Sequence, residues 1–231
     1  MLIAENIASI EERIQKACIS AGRKRDEITL MAVTKFEPVG KIEEAYSCGI
    51  RYFGESRLKE AGEKFDGFKG NHQDVKLHMI GSLQRNKVKQ AVNLFDCIQS
   101  VDRNELIAEL EKHPGLCKSF LFELHTGEDT KSGFLNMDAL LKAAELALNT
   151  GNIKPAGLMT MAPFTEDAEL IRSSFRQLVK AGRELEKRFP EAEGKCGWNV
   201  LSMGMSNDFE IAIEEGSTLL RIGSAVFKEK S

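Results

Sequence analysis

Apolar residues recur at every third or fourth position near the start of the chain. Ile3, Ile7, Ile10, Ile14 and Ala17 form the stripe, and Cys18 and Ala21 extend it. That spacing predicts an amphipathic helix over 3–21, and Gly22 with Arg23-Lys24-Arg25 suits its C-terminal end. Beyond it, short apolar runs alternate with longer amphipathic ones. The runs 28–35, 51–55, 76–81, 97–101, 118–125, 156–162, 199–205 and 219–226 predict strands. The stretches 38–48, 84–92, 103–112, 137–149, 167–188 and 207–215 predict helices, and 57–65 follows the same period less fully. Asp66-Gly67-Phe68-Lys69-Gly70-Asn71-His72 reads as an exposed loop.

Eight strands separated by helices point to repeated βαβ units and a parallel sheet. Eight is also the number that closes a (β/α)₈ barrel, and the whole of 1–231 is expected to form that one TIM-type domain. It begins with a helix and ends with a strand, so the leading helix is expected to fill the place of a last helix. A doubly wound open sheet is the alternative, but the glycine-rich turn of a dinucleotide site is missing after the first strand.

Composition narrows the function. Lys+Arg total 32 against Asp+Glu 35, a formal net charge of -3 that argues against nucleic-acid binding driven by bulk charge. No apolar stretch approaches a membrane span, and Met1-Leu2-Ile3-Ala4-Glu5-Asn6 does not read as a signal peptide. Cys18, Cys48, Cys97, Cys117 and Cys196 are scattered, with no CxxC pair, which fits free thiols in a reducing cytoplasm.

Three pieces carry candidate chemistry. Ile28 to Val33 is apolar and runs through Thr34 to Lys35; Thr29, Met31, Val33 and Lys35 share a face. A lysine closing such a strand is expected to be partly desolvated, as a Schiff-base amine requires, although a solvent-directed lysine is the plainer explanation. Leu219, Arg221 and Gly223 share a face of the last strand. A guanidinium there needs an acceptor, through a structural salt bridge or through a cofactor ring nitrogen. Ser206, before Asn207 to Glu215, is a natural helix N-cap, and Gly223-Ser224 lies at a strand end. Loops after strands seven and eight are where these barrels commonly hold phosphate. Together the three suggest a phosphorylated aldehyde cofactor held by a barrel.

Other candidates carry less. His72, His78, His113 and His125 lack metal-ligand spacing, so no metal site is expected. Gly127-Glu128-Asp129-Thr130-Lys131-Ser132-Gly133 has the wrong order for a P-loop and reads as the loop after strand five. Gln84-Arg85-Asn86-Lys87 reads as a solvated basic helix start.

Over nearly its whole length the chain resembles the pyridoxal phosphate homeostasis proteins, relatives of the alanine racemase barrel domain. The resemblance is carried by Ala32-Val33-Thr34-Lys35, Phe53-Gly54-Glu55, His78 to Lys87, Gly157-Leu158-Met159-Thr160, Leu201 to Ser206, Gly216-Ser217-Thr218 and Arg221-Ile222-Gly223. It implies that Lys35 carries pyridoxal 5'-phosphate as a Schiff base. It further implies that Ser206, Gly223 and Ser224 hold the phosphate and that Arg221 faces the pyridine nitrogen. The chain departs from the family pattern at Ser56, Ser82, Glu123, His125 and Ser224. Glu123, a carboxylate on a barrel-interior face, needs a partner.

The resemblance implies a cytoplasmic protein that buffers pyridoxal phosphate and delivers it to apo-enzymes, or senses it, without a catalytic residue. The alternative is a pyridoxal-phosphate-dependent amino-acid racemase, which needs a base on each face of the substrate. In related racemases the second base is a tyrosine from a separate domain. Tyr46 and Tyr52, the two tyrosines here, are expected away from the barrel mouth. A monomer is expected.

Overall fold

The strands are β1 (Thr29–Val33), β2 (Tyr52–Glu55), β3 (Lys76–Met79), β4 (Cys97–Val101), β5 (Ser119–Glu123), β6 (Pro155–Met159), β7 (Val200–Ser202) and β8 (Leu219–Ile222). They pair in that order, all parallel, and β8 pairs with β1 to close a barrel, which rules out the open sheet. The structure is a computed structural model describing residues 2–116, 119–127, 132–151, 153–190 and 197–229. Cys117, Cys196 and residues 128–131 of the loop predicted after strand five lie outside the described residues.

Helix α1 (Leu2–Ser20) precedes β1, and α2 (Val39–Ser47), α3 (Leu58–Asn71), α4 (Val88–Leu94), α5 (Asn104–Leu110), α6 (Met137–Thr150), α7 (Ala168–Arg188) and α8 (Phe209–Glu214) follow β1 to β7 in turn. A single helical turn, α9 (Ser224–Phe227), follows β8 where the sequence suggested continued strand. The stripe of α1 is buried at Ile3, Ile7, Ile10 and Ile14. Apolar residues at that spacing make one continuous face, and the face packs against α8, α9 and α2. The leading helix therefore takes the last place in the helical ring, as expected.

The expected loop at 66–72 is instead the second half of α3. Ala61, Phe65 and Phe68 fall on one helical face and are buried, so packing outweighs the low helix propensity of Gly67 and Gly70. A Cβ on either glycine would meet nothing within 4 Å, placing both on the open side.

Alternation along the strands sorts two layers. Leu30, Ala32, Phe53, Leu77, Phe120, Phe122, Leu220 and Ile222 belong to the large core shared by barrel and helices. Inside the barrel, Cys97, Leu121 and Met159 form a separate small apolar cluster. Much of the remaining interior is polar, with His78, Gln99, Glu123, Ser202 and Arg221 all buried.

Candidate functional site

At the C-terminal ends of the strands the barrel opens into a cavity of about 410 Å³. Lys35, Ser206, Arg221, Gly223 and Ser224 all line it. Residues from opposite ends of the chain meet there because β1 and β8 are neighbours.

Lys35 lies two residues beyond β1, continuing the inward register of Met31 and Val33. It is exposed, so the partial desolvation expected of it is not found. The strand stops at Val33 because the chain turns: the Glu37 N–H donates to the Thr34 carbonyl at 3.0 Å, with Phe36 at φ 69°.

Ser206 is not the cap of the following helix; α8 begins at Phe209 with Asp208 at the cap position. The displacement starts at Gly204, at φ 96°, where a Cβ would sit 2.6 Å from the Ala212 Cβ. Only glycine accommodates that bend and that approach together. Past it, the Asp208 carboxylate accepts the Met205 N–H. Ser206 turns instead toward α9, and its hydroxyl oxygen accepts the Ala225 N–H at 3.3 Å.

Arg221 is buried on the inner face of β8. Its Nη1 donates to Ser202 Oγ at 2.7 Å and its Nη2 to the Thr160 carbonyl at 2.8 Å. Burial pulls the guanidinium down to about 10, against which the charges of Asp208 and Glu123 act, so it stays cationic at neutral pH. Burial also raises both carboxyls, and the Arg221 charge lowers both. Glu123 finds the partner it required in Ser132, whose hydroxyl donates to Oε1 at 2.8 Å.

Behind Arg221 runs a buried chain of polar groups that single-strand inspection missed. Ser202 Oγ donates to Gln99 Oε1 at 2.7 Å, and Gln99 Nε2 lies 2.8 Å from His78 Nδ1. Burial depresses the His78 pKa to about 4, so the ring is neutral and its Nδ1 accepts from the Gln99 amide. The chain crosses the barrel from β3 through β4 and β7 to β8. Its only visible signal was a polar residue on the inward face of each strand, His78, Gln99, Ser202 and Arg221.

The other candidates fall elsewhere. Gln84 and Lys87 line a larger groove of about 830 Å³ between α3 and α4, and Arg85 pairs with Glu109 at 3.1 Å on the surface. Tyr46 donates to Asp74, and Tyr52 lines a cavity at the opposite, N-terminal end of the barrel beside His78 and Cys97. Neither tyrosine lines the upper cavity. Cys18, Cys48 and Cys97 are free thiols. Among the described residues no group of three or more His, Cys, Asp or Glu could hold a metal, and no helix is long and apolar enough to cross a membrane.

The alanine racemase N-terminal domain family matches residues 3–231. The pyridoxal phosphate homeostasis protein of Aquifex aeolicus is 37% identical over 233 residues, covering 100% of this chain and 99% of that one. That of Vibrio cholerae is 35% identical, covering 99% and 96%. Among solved structures, PipY of Synechococcus elongatus with PLP bound is similar at a TM-score of 0.83 and 30% identity, covering 97% of this chain and 99% of PipY. Alanine racemase of Corynebacterium glutamicum shares the barrel fold at a TM-score of 0.72 and 14% identity, and the likeness spans 60% of that chain.

Proposed function

The chain belongs to the pyridoxal phosphate homeostasis protein family, with the barrel of the alanine racemase N-terminal domain, and from that premise we propose that it binds pyridoxal 5'-phosphate in the upper cavity and holds it for delivery to apo-enzymes of the cytoplasm. The observation that carries this is the convergence of the Lys35 amine, the buried Arg221 guanidinium and the Ser206 and Ser224 hydroxyls on a single cavity. Its volume of about 410 Å³ falls within the range of small-cofactor sites. The donor set also suits the cofactor, which has a phosphate, a ring nitrogen and an aldehyde.

When bound, the cofactor supplies an aldehyde carbon for an amine and a ring that withdraws electrons. Lys35 is the attachment amine in this reading. Ser206, Gly223 and Ser224 hold the phosphate. Because the Ser206 oxygen already accepts the Ala225 N–H, its own proton is free to donate outward. Arg221 uses two of its five N–H groups on Ser202 and Thr160, and another would be available to the ring nitrogen. The guanidinium keeps its protons, so Arg221 would leave a ring nitrogen facing it unprotonated and weaken the ring as an electron sink. That favours holding the cofactor over reacting through it. A two-base racemase needs a second proton carrier at the mouth, and both tyrosines line other regions.

The test is an absorbance spectrum before and after borohydride, with peptide mapping of the reduced protein. A pyridoxyl group is expected on Lys35 and none in Lys35→Ala, which should stay folded. An adduct on another lysine, or none after reconstitution, overturns the assignment. Cofactor-loaded protein should restore an apo-enzyme that needs pyridoxal phosphate; racemisation of free amino acids by the loaded protein would favour the enzyme instead.

A further inference from the structure

The turn bearing Lys35 is gripped from behind by charged residues. Thr34 and Glu55 point outward from the ends of β1 and β2, and Lys64 of α3 meets both. Its Nζ donates to the Thr34 carbonyl at 2.9 Å and to Glu55 Oε1 at 3.1 Å. Thr34 Oγ1 donates to the same carboxylate oxygen at 2.7 Å. Glu55 is fully buried and the Lys64 side chain is 14% exposed. Farther along, Arg57 lies 5.1 Å over the Phe36 ring and donates to Glu60 at 3.0 Å. Arg57 first, and then the Phe36 N–H, hold the Glu60 carboxyl below its usual value. Arg57, Glu60 and Lys64 recur at helical spacing, so this edge of α3 is a polar stripe aimed at one turn.

Such an arrangement is costly. Replacing a buried ion pair with apolar residues of similar size is often neutral or stabilising. Here one oxygen of Glu55 even lacks a hydrogen-bond partner. Phe36 occupies, at φ 69°, the turn position where glycine is ordinarily found. Strain of this kind persists where the surroundings over-determine it. Both costs fall beside Lys35, an exposed lysine whose amine makes no hydrogen bond or ion pair among the described residues.

We propose that Glu55, Glu60 and Lys64 are positioning residues that fix this strained turn and thereby aim the Lys35 amine into the mouth. The proposal rests on Lys35 being the attachment amine. Holding the backbone limits the directions the amine can sample, which raises its effective concentration at the cavity without burying it.

The test is the double variant Glu55→Gln/Lys64→Met, which removes both charges and nearly keeps both volumes. Two rates are compared in wild type and variant. One is attachment of pyridoxal phosphate, followed by absorbance and mapped after borohydride. The other is labelling of Lys35 by trinitrobenzenesulfonate, which reports the exposure and basicity of the amine but not its aim into the cavity. Attachment should slow about tenfold or more, while generic labelling stays unchanged. Exchange of the Glu37 amide with deuterium should quicken in the cofactor-free variant. Equal attachment rates in a folded variant overturn the proposal, as does an equal fall in both rates. A wild type without a Lys35 adduct defeats the attachment assignment instead. Should the double variant not fold, Glu60→Gln, which leaves the buried pair intact, must still slow attachment; an unchanged rate overturns the proposal.

Discussion

Ser202 joins Arg221 to Gln99, and through it to His78, so Ser202→Ala tests the buried chain most directly. Its hydroxyl is fully buried, accepts from Arg221 at 2.7 Å and donates to Gln99 at 2.7 Å. The substitution strands a charged donor and a neutral acceptor. A hydrogen bond to a charged group is worth roughly 1.5–3 kcal/mol and a neutral one roughly 0.5–1.5, so the expected loss is about 2–4 kcal/mol. For a chain of this length that lowers the melting temperature by about 5–15 °C. Urea unfolding of the cofactor-free protein, followed by fluorescence of the single tryptophan, the buried Trp198, measures it. The double variant with Gln99→Leu should lose less than the sum of the single losses, because the two side chains share one bond. A Ser202→Ala loss below about 1 kcal/mol, or strict additivity, would refute the chain.

His78, unprotonated in the folded protein down to about pH 4, makes the fold less stable in acid. The unfolded ring takes up its proton near pH 6.5, so this contribution is complete above that pH and fades toward 4, by about 2 kcal/mol at pH 5. The stability gap between wild type and His78→Asn should narrow over that range; a constant gap would contradict it. Arg221→Met removes the cation that lowers Glu123 and Asp208, so both carboxyls should rise further. The folded variant then binds more protons than its unfolded chain, and its melting temperature should increase on acidification from neutral pH relative to wild type. Gly204→Ala should cost about 2–4 kcal/mol, through the bend at φ 96° and the 2.6 Å approach to Ala212, seen as a lower urea midpoint. Near-neutral behaviour would mean the loop after β7 relaxes freely.

Strand order, the shared face of Leu219, Arg221 and Gly223 and the docking of α1 were legible because each rests on a local period, two along strands and 3.6 along helices. The second half of α3 was not, since Gly67 and Gly70 resemble a loop until Phe65 and Phe68 find the core. Ser206 and Asp208 are both good caps two residues apart, and the bend at Gly204 decides between them. Lys35 looked like strand because nothing in Phe36 announces a left-handed turn. The bonds of the polar chain were hidden for a different reason. Ser202 and Gln99 are 103 residues apart, and only closure of the barrel sets them face to face.

Closure also fixes an order of assembly. Asn6 on α1 donates to the carbonyls of Val226 and Lys228, partners more than 200 residues downstream, and β1 keeps an open edge until β8 pairs with it. During synthesis the isoleucine stripe of α1, covered in part by α2, and the free edge of β1 must therefore wait for α8, β8 and α9. The entropic cost of closing so long a loop grows only slowly with its length, but the interval of exposure grows with every residue added. Aggregation and chaperone capture should concentrate at this seam. Helix α1, which precedes every strand of the barrel, is the last to be fully seated.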